Sequence, residues 1–338
     1  MTDDSLMDRF DANARRFQAR DALIAVFVAV FVLVLFQGRS LKGTGEKLGP
    51  GPQRDVVLAI SRPAGWLAAQ LPLQSAAAKV TSGLSPDQAL DDSAGFDAGS
   101  GGATVSSPQV PVVTPDAFTP ESLGAQPAAK KPLETVLVTG DSLSTPLDQE
   151  LGRTLAGSAQ VIRDPHLGTG ISKTELVDWG KLSATQTAKH HPDAVVVFIG
   201  ANEGFEMKDP AGHEQACCGA RWAAIYANRA RRMIDTYRQG GRAHVYWVTV
   251  MTPRDADHAR ISNVVNAAIA VAAQPWPGQV SVVDTVPIFT PGGRYRDSMP
   301  VAGRSTLVRE SDGIHLNLAG AQLLARTLLE RLRRDFDS

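Results

Sequence analysis

From residue 22 to residue 36 every position of the chain is apolar, mostly Val, Leu, Phe and Ala, with Arg20 and Asp21 before the run and Gln37, Gly38 and Arg39 after it. At about 1.5 Å per residue, a helix of this run covers about 22 Å, so it crosses a hydrocarbon core of roughly 30 Å only with help from Gln37, Gly38 and snorkelling arginines. Apolar side chains occupy all faces rather than one stripe, which argues against a core helix, and no small-x-small pair follows to mark a cleaved leader. The pattern predicts an uncleaved transmembrane anchor at 22–38. Residues 39–79 form a juxtamembrane segment, within which a mildly apolar stretch at 56–73 is interrupted by Pro63 and Pro72 and carries Trp66 as a candidate interfacial anchor. Residues 80–132 are rich in Ser, Gly, Ala, Pro and Asp, with few large apolar side chains, and read as a flexible linker with a reach of about 40 Å. From 133 to 338 the pattern changes. Short β-branched runs at 135–139 (TVLVT), 159–162, 194–199 (AVVVFI), 244–250 (HVYWVTV) and 280–284 (VSVVD) predict strands buried on both faces. Between and after them, 147–155, 173–189, 222–239, 256–273 and 318–334 carry apolar residues at helical spacing. This alternation predicts an α/β domain: a five-stranded parallel sheet covered by helices, right-handed crossovers, and ligands beyond the carboxyl ends of the strands.

The 338 residues leave room for one such domain plus appended segments. Lys plus Arg total 34 and Asp plus Glu 35, so no global field draws nucleic acid, and the charges flanking the apolar run are balanced and silent on its orientation. The only cysteines are Cys217 and Cys218, which excludes a disulfide framework and a four-cysteine zinc site. With His213 they make a poor tetrahedral set, so no metal is expected. They lie in a loop inserted after Glu203, where two free thiols are the default and a strained disulfide between the adjacent pair, in an oxidising compartment, is the alternative. The stretch Gly168 to Thr174 suggests a nucleotide loop, yet lacks Gly before Lys173 and Gly at position 173, so no nucleotide and no cofactor is expected. No G-x-S-x-G elbow occurs.

Three polar signals fall on the predicted rim: Gly140-Asp141-Ser142 after the first strand, Gly200-Ala201-Asn202-Glu203 after the third, and Asp312-Gly313-Ile314-His315 before the last helix. Each alone is ordinary capping chemistry. Together they supply acyl transfer through a serine ester: Ser142 as nucleophile, His315 as its base and Asp312 to orient the imidazole. The Ser142 N–H, a glycine N–H in the second βα loop and the Asn202 amide can hold the oxyanion. Arg254, after the fourth strand, is a candidate substrate contact or a surface ion-pair residue.

These residues resemble the SGNH hydrolase superfamily of GDSL-like esterases and lipases. Its blocks correspond to Gly140-Asp141-Ser142-Leu143, Gly170, Gly200-Ala201-Asn202 and Asp312-Gly313-Ile314-His315-Leu316. The stretches Thr169-Gly170, Asp178-Trp179, Tyr246-Trp247-Val248 and Ser311 to His315 are closer to the membrane-anchored DUF459 branch. The resemblance implies a three-layer flavodoxin-like fold over 133–338, Gly170 as the oxyanion glycine, and a domain outside the cytoplasm with 1–21 inside. It further implies an esterase removing short acyl groups, above all acetyl, from envelope carbohydrate. An acyltransferase passing the same acyl group to a sugar hydroxyl is the alternative. A non-catalytic envelope-binding module on this fold is the third reading. Glu203 stands where the superfamily usually has Asp, which puts an added methylene among the hydrogen bonds that hold Asn202.

Overall fold

A computed structural model of the chain describes Leu90, residues 94–96, Val113 and residues 130–337. The anchor expected at 22–38, its flanks at 1–21 and 39–79, and most of 80–132 lie outside the described residues. Among the described residues no helix is long and apolar enough to cross a membrane.

Five strands, β1 (Thr135–Gly140), β2 (Gln160–Pro165), β3 (Ala194–Phe198), β4 (His244–Val248) and β5 (Val280–Val283), form one all-parallel sheet in the order β2-β1-β3-β4-β5. Five helices of ten or more residues accompany them: α1 (Thr145–Thr154), α2 (Trp179–His190), α3 (Ala220–Tyr237), α4 (Ala256–Ala273) and α5 (Leu318–Asp335). This is the doubly wound order in which the chain reverses direction across the sheet between β1 and β3, so the loops after those strands border one crevice. The three central strands are buried almost throughout, and the Trp179, Trp222, Trp247, Tyr226 and Tyr237 side chains fill the layers around them. Burial on both faces was expected of all five strands. It fails at the edges, where β2 is intermediate or exposed at every position and β5 at two of four, because each pairs on one side only.

Helix α2 starts at Trp179 rather than at 173. The Asp178 carboxylate accepts from the N–H groups of Gly180 at 2.8 Å and Lys181 at 3.4 Å, and so fixes the N-terminus there. Two short antiparallel hairpins, Met207–Lys208 with Glu214–Gln215 and Ser298–Val301 with Arg304–Leu307, were not foreseen. Cys217 and Cys218 are paired with each other, the alternative to the two free thiols expected by default.

The two ends of 130–337 meet where the Asp337 N–H donates to Lys131 O at 3.0 Å. Upstream, two points of the low-complexity stretch are seated on the helices. The Asn228 amide on α3 pairs with both backbone groups of Val113, at 2.9 and 2.8 Å, and Val113 is buried. Phe96 donates its N–H to the same Asp178 carboxylate at 2.8 Å and lies under the Arg229 guanidinium.

Candidate active site

At the end of β1 the chain must turn against β3. Gly140 does so with φ of +144°, and a Cβ there would stand 1.9 Å from Phe198 O, so only glycine fits. The next residue, Asp141, is fully buried. Its Oδ1 accepts from Leu143 N at 2.9 Å and caps the single turn that begins at Ser142, while Oδ2 accepts from Gly200 N at 2.9 Å and Ala201 N at 2.7 Å in the loop after β3. Burial pushes the Asp141 carboxyl up to about 6, against the pull of those three N–H groups and aided by the nearby Glu203 charge.

Helix α5 brings the last motif to the same rim. Asn317 caps it by accepting from Gly320 N at 3.0 Å, and Gly320 lets the helix approach Val308 O, which would be 2.3 Å from an added Cβ. Immediately before the cap, His315 Nε2 lies 2.7 Å from Ser142 Oγ and His315 Nδ1 lies 2.6 Å from Asp312 Oδ2. Asp312 Oδ1 accepts from the N–H groups of Ile314 at 2.8 Å and His315 at 3.1 Å. Partial burial pushes the Asp312 carboxyl up. The hydrogen bonds from Ile314 and His315 outweigh it and hold the group at about 2. An ionised carboxylate only accepts, so Nδ1 carries a proton and Nε2 is left to accept from the Ser142 hydroxyl. The sequence-predicted trio is thus one continuous hydrogen-bonded chain.

On the facing side, Gly170 is buried with no room for a side chain, since a Cβ would stand 2.8 Å from Asn202 O, whereas Gly168 faces open space. Asn202 Nδ2 donates to Thr169 O at 3.1 Å, which uses one of the two amide hydrogens. The residue that organises this side is Glu203. Its fully buried carboxylate accepts from Ile171 N at 2.8 Å, Ser172 N at 2.8 Å, Ser172 Oγ at 2.6 Å and Tyr226 Oη at 3.0 Å. Burial raises its pKa in spite of these four donors. One carboxylate thereby ties the 168–172 loop to α3. Beside it, Ala201, Val250, Pro253, Ile261 and Ile314, together with the polar Glu203, His258 and Ser262, line a small cleft between the loop after β3 and the start of α4.

Beneath the last motif lies Arg309, which no sequence pattern singled out. Its side chain is fully buried, and Nη2 donates to Gly313 O at 3.1 Å and Ile314 O at 2.9 Å, the two carbonyls before His315. Burial lowers its pKa to about 10, so it stays a cation at neutral pH. Arg254, the predicted substrate contact, is exposed on the rim and packs over Gly313.

The family described as "Protein of unknown function (DUF459)" matches residues 135–331. No curated protein matches the chain. Among solved structures, similarity extends to the C-terminal catalytic domain of peptidoglycan O-acetyltransferase A from Streptococcus pneumoniae, with 16% identity, 60% of this chain and 95% of that chain covered, and a TM-score of 0.39. A carbohydrate acetylesterase from Sinorhizobium meliloti gives 14% identity, 60% and 100% coverage, and a TM-score of 0.41. A family two carbohydrate esterase from Clostridium thermocellum gives 15%, 61% and 66% coverage, and 0.38.

Proposed function

The chain belongs to the DUF459 family, and we propose that it is a serine esterase that removes a short acyl group, above all acetyl, from a cell-envelope carbohydrate. The observation that carries this reading is the hydrogen-bonded chain from Asp312 through His315 to Ser142. Ser142 Oγ attacks the ester carbonyl while its proton passes to His315 Nε2, and Asp312 stabilises the resulting imidazolium. The tetrahedral oxyanion is held by the N–H groups of Ser142 and Gly170 and by the Asn202 amide. On collapse, His315 returns the proton to the departing sugar oxygen, leaving an acyl ester on Ser142. A water then attacks that ester, gives its proton to His315, and releases the carboxylic acid and free serine. If a sugar hydroxyl takes the place of water, the same intermediate yields transfer.

The test is turnover of 4-nitrophenyl acetate and acetate release from acetylated glycans by the full-length protein. Loss of both in Ser142→Ala, together with fluorophosphonate labelling of Ser142, is expected. Activity surviving Ser142→Ala rejects the serine mechanism, and an acetylated glycan product in place of free acetate assigns transfer.

The proposal also holds the domain outside the cytoplasm on the span at 22–38, supported by its unbroken apolar run. Protease added to intact spheroplasts should digest the domain and spare the first residues; a protected domain would reverse the orientation.

A further inference from the structure

The active rim carries an arginine that is built into place. Arg254 follows β4 and is exposed, yet its guanidinium is held at several points. Nη2 donates to Tyr295 Oη at 3.0 Å, and Cζ lies 5.1 Å from the centroid of the Tyr295 ring. The Arg254 backbone N–H donates to Gly313 O at 3.0 Å. Gly313 makes room for the side chain: a Cβ there would stand 2.7 Å from Arg254 Cβ and 3.2 Å from its Cζ, with Gly313 itself at φ of +79°. The same Tyr295 ring has the buried Arg309 Cζ at 5.2 Å, so one aromatic ring is shared by a buried cation and an exposed one. The buried member is fixed by its carbonyl partners, and the ring it supports fixes the exposed member.

Among the described residues Arg254 makes no ion pair. Asp297 and Asp312 act on it only through their field, and the Asp255 carboxylate next to it is occupied by the His258 N–H and ring at 2.9 Å. One of the five donors of the guanidinium fork is used by Tyr295. An exposed arginine with a solvated role needs no such restraint, because holding it costs side-chain entropy. A fork held in one orientation with donors to spare matches the paired oxygens of an anion. It also sits over the loop that delivers His315.

We propose that Arg254 is a specificity residue that takes an anionic group of the substrate, a carboxylate or a phosphodiester carried on the sugar chain near the ester, so that the preferred substrates are acidic carbohydrate esters. This rests on the esterase reading given above and narrows it. Neutral acylated glycans reach the serine without that contact and react more slowly.

The experiment compares kcat/KM of the full-length protein for acetate release from three esters: acetylated homogalacturonan fragments, an acetylated glycerol-phosphate oligomer and acetylated xylan. Wild type is expected to favour one of the two anionic esters over xylan by roughly tenfold or more at low salt, with the preference shrinking as ionic strength rises. Which anionic ester it is identifies the group. In Arg254→Gln the ratio should fall to near one, with Arg254→Lys and Tyr295→Phe intermediate. The tyrosine variant keeps the ring and tests the restraint even if the glutamine variant folds poorly. Equal wild-type rates on all three esters, or a ratio that survives Arg254→Gln, overturns the proposal. A uniform fall on all three also overturns it, since Arg254 would then only cover the loop. Wild type that turns over neither these esters nor 4-nitrophenyl acetate would instead reject the esterase reading itself.

Discussion

The Asp141 carboxylate accepts the Ala201 N–H at 2.7 Å, and with the Gly200 contact at 2.9 Å it bolts the serine turn to the loop that carries Asn202. Nucleophile and oxyanion side are therefore positioned by one buried acid, one strand apart, where Gly140 faces Phe198 in the β1 and β3 register.

That acid makes stability depend on pH in a definite direction. Its folded pKa of about 6 lies above the ordinary 3.8, so between those values the folded state binds more protons than the unfolded chain. Its contribution is fully present below about pH 4 and is lost as pH rises through 6. The difference in Tm between wild type and Asp141→Asn should accordingly shrink as pH rises from 4 to 7. A difference that is constant over that range would mean Asp141 does not titrate there.

Asp312 behaves in the opposite sense. Held at about 2, it stays ionised under ordinary conditions, and its stabilising contribution is lost only as pH falls through 2. In Asp312→Asn the Ile314 and His315 N–H groups claim the amide oxygen, so the amide nitrogen faces His315 Nδ1 and forces the proton to Nε2. Nε2 can then no longer accept from Ser142. Steady-state kinetics on 4-nitrophenyl acetate should show kcat reduced by roughly 10³- to 10⁴-fold with the fold intact. A loss below tenfold would argue against this orienting role.

Four donors converge on Glu203, two of them backbone N–H groups that cannot reverse direction. Glu203→Gln must face one of these with an amide nitrogen, which costs about 1 to 3 kcal/mol and loosens the loop that carries Gly170. Glu203→Asp restores the residue usual in the resembling superfamily yet is one methylene too short to span from Ile171 to Tyr226. Both should lower kcat by about tenfold or more with smaller changes in KM, and unaltered kcat in the aspartate variant would show that the span is not needed.

Replacing Arg309 by Met leaves the Ile314 carbonyl without its donor and the Gly313 carbonyl with the Arg254 N–H alone, and it empties a fully buried site. We expect a loss of about 2 to 5 kcal/mol, a Tm lower by on the order of 10 °C, and a reduced kcat, partly recovered in Arg309→Lys. Differential scanning calorimetry and 4-nitrophenyl acetate kinetics provide the check, and a Tm within 1 to 2 °C of wild type, about the shift of half a kcal/mol, would contradict it.

Much of this was legible in the sequence because of where periodicity breaks. Strands β1, β3 and β4 are runs dominated by β-branched and aromatic residues, Ser142 and Asn202 stand just beyond two of them, and Asp312 and His315 shortly precede helix α5. The start of α2 was missed because apolar spacing continues upstream of the true cap at Asp178. Glu203 was noticed as a departure, but its partners come from the 168–172 loop and α3, and no local pattern joins those. Arg309, between Val308 and Glu310, reads as one more surface charge, since nothing in a string of letters separates an arginine in water from one enclosed beneath a loop. The seating of Phe96 and Val113 depends on side chains of α2 and α3, while the composition around them carries almost no apolar signal.

The contact between Ser142 and His315 joins residues 173 positions apart. At synthesis rates of roughly 5 to 20 residues per second, some 9 to 35 s separate the appearance of the serine from that of its base. A nascent chain that has already built β1 and its serine turn is therefore chemically silent, and so is any fragment cut before His315. On the proposed mechanism, hydrolytic competence arrives in a single step with the last helix, and the cell meets this chemistry only in the finished domain.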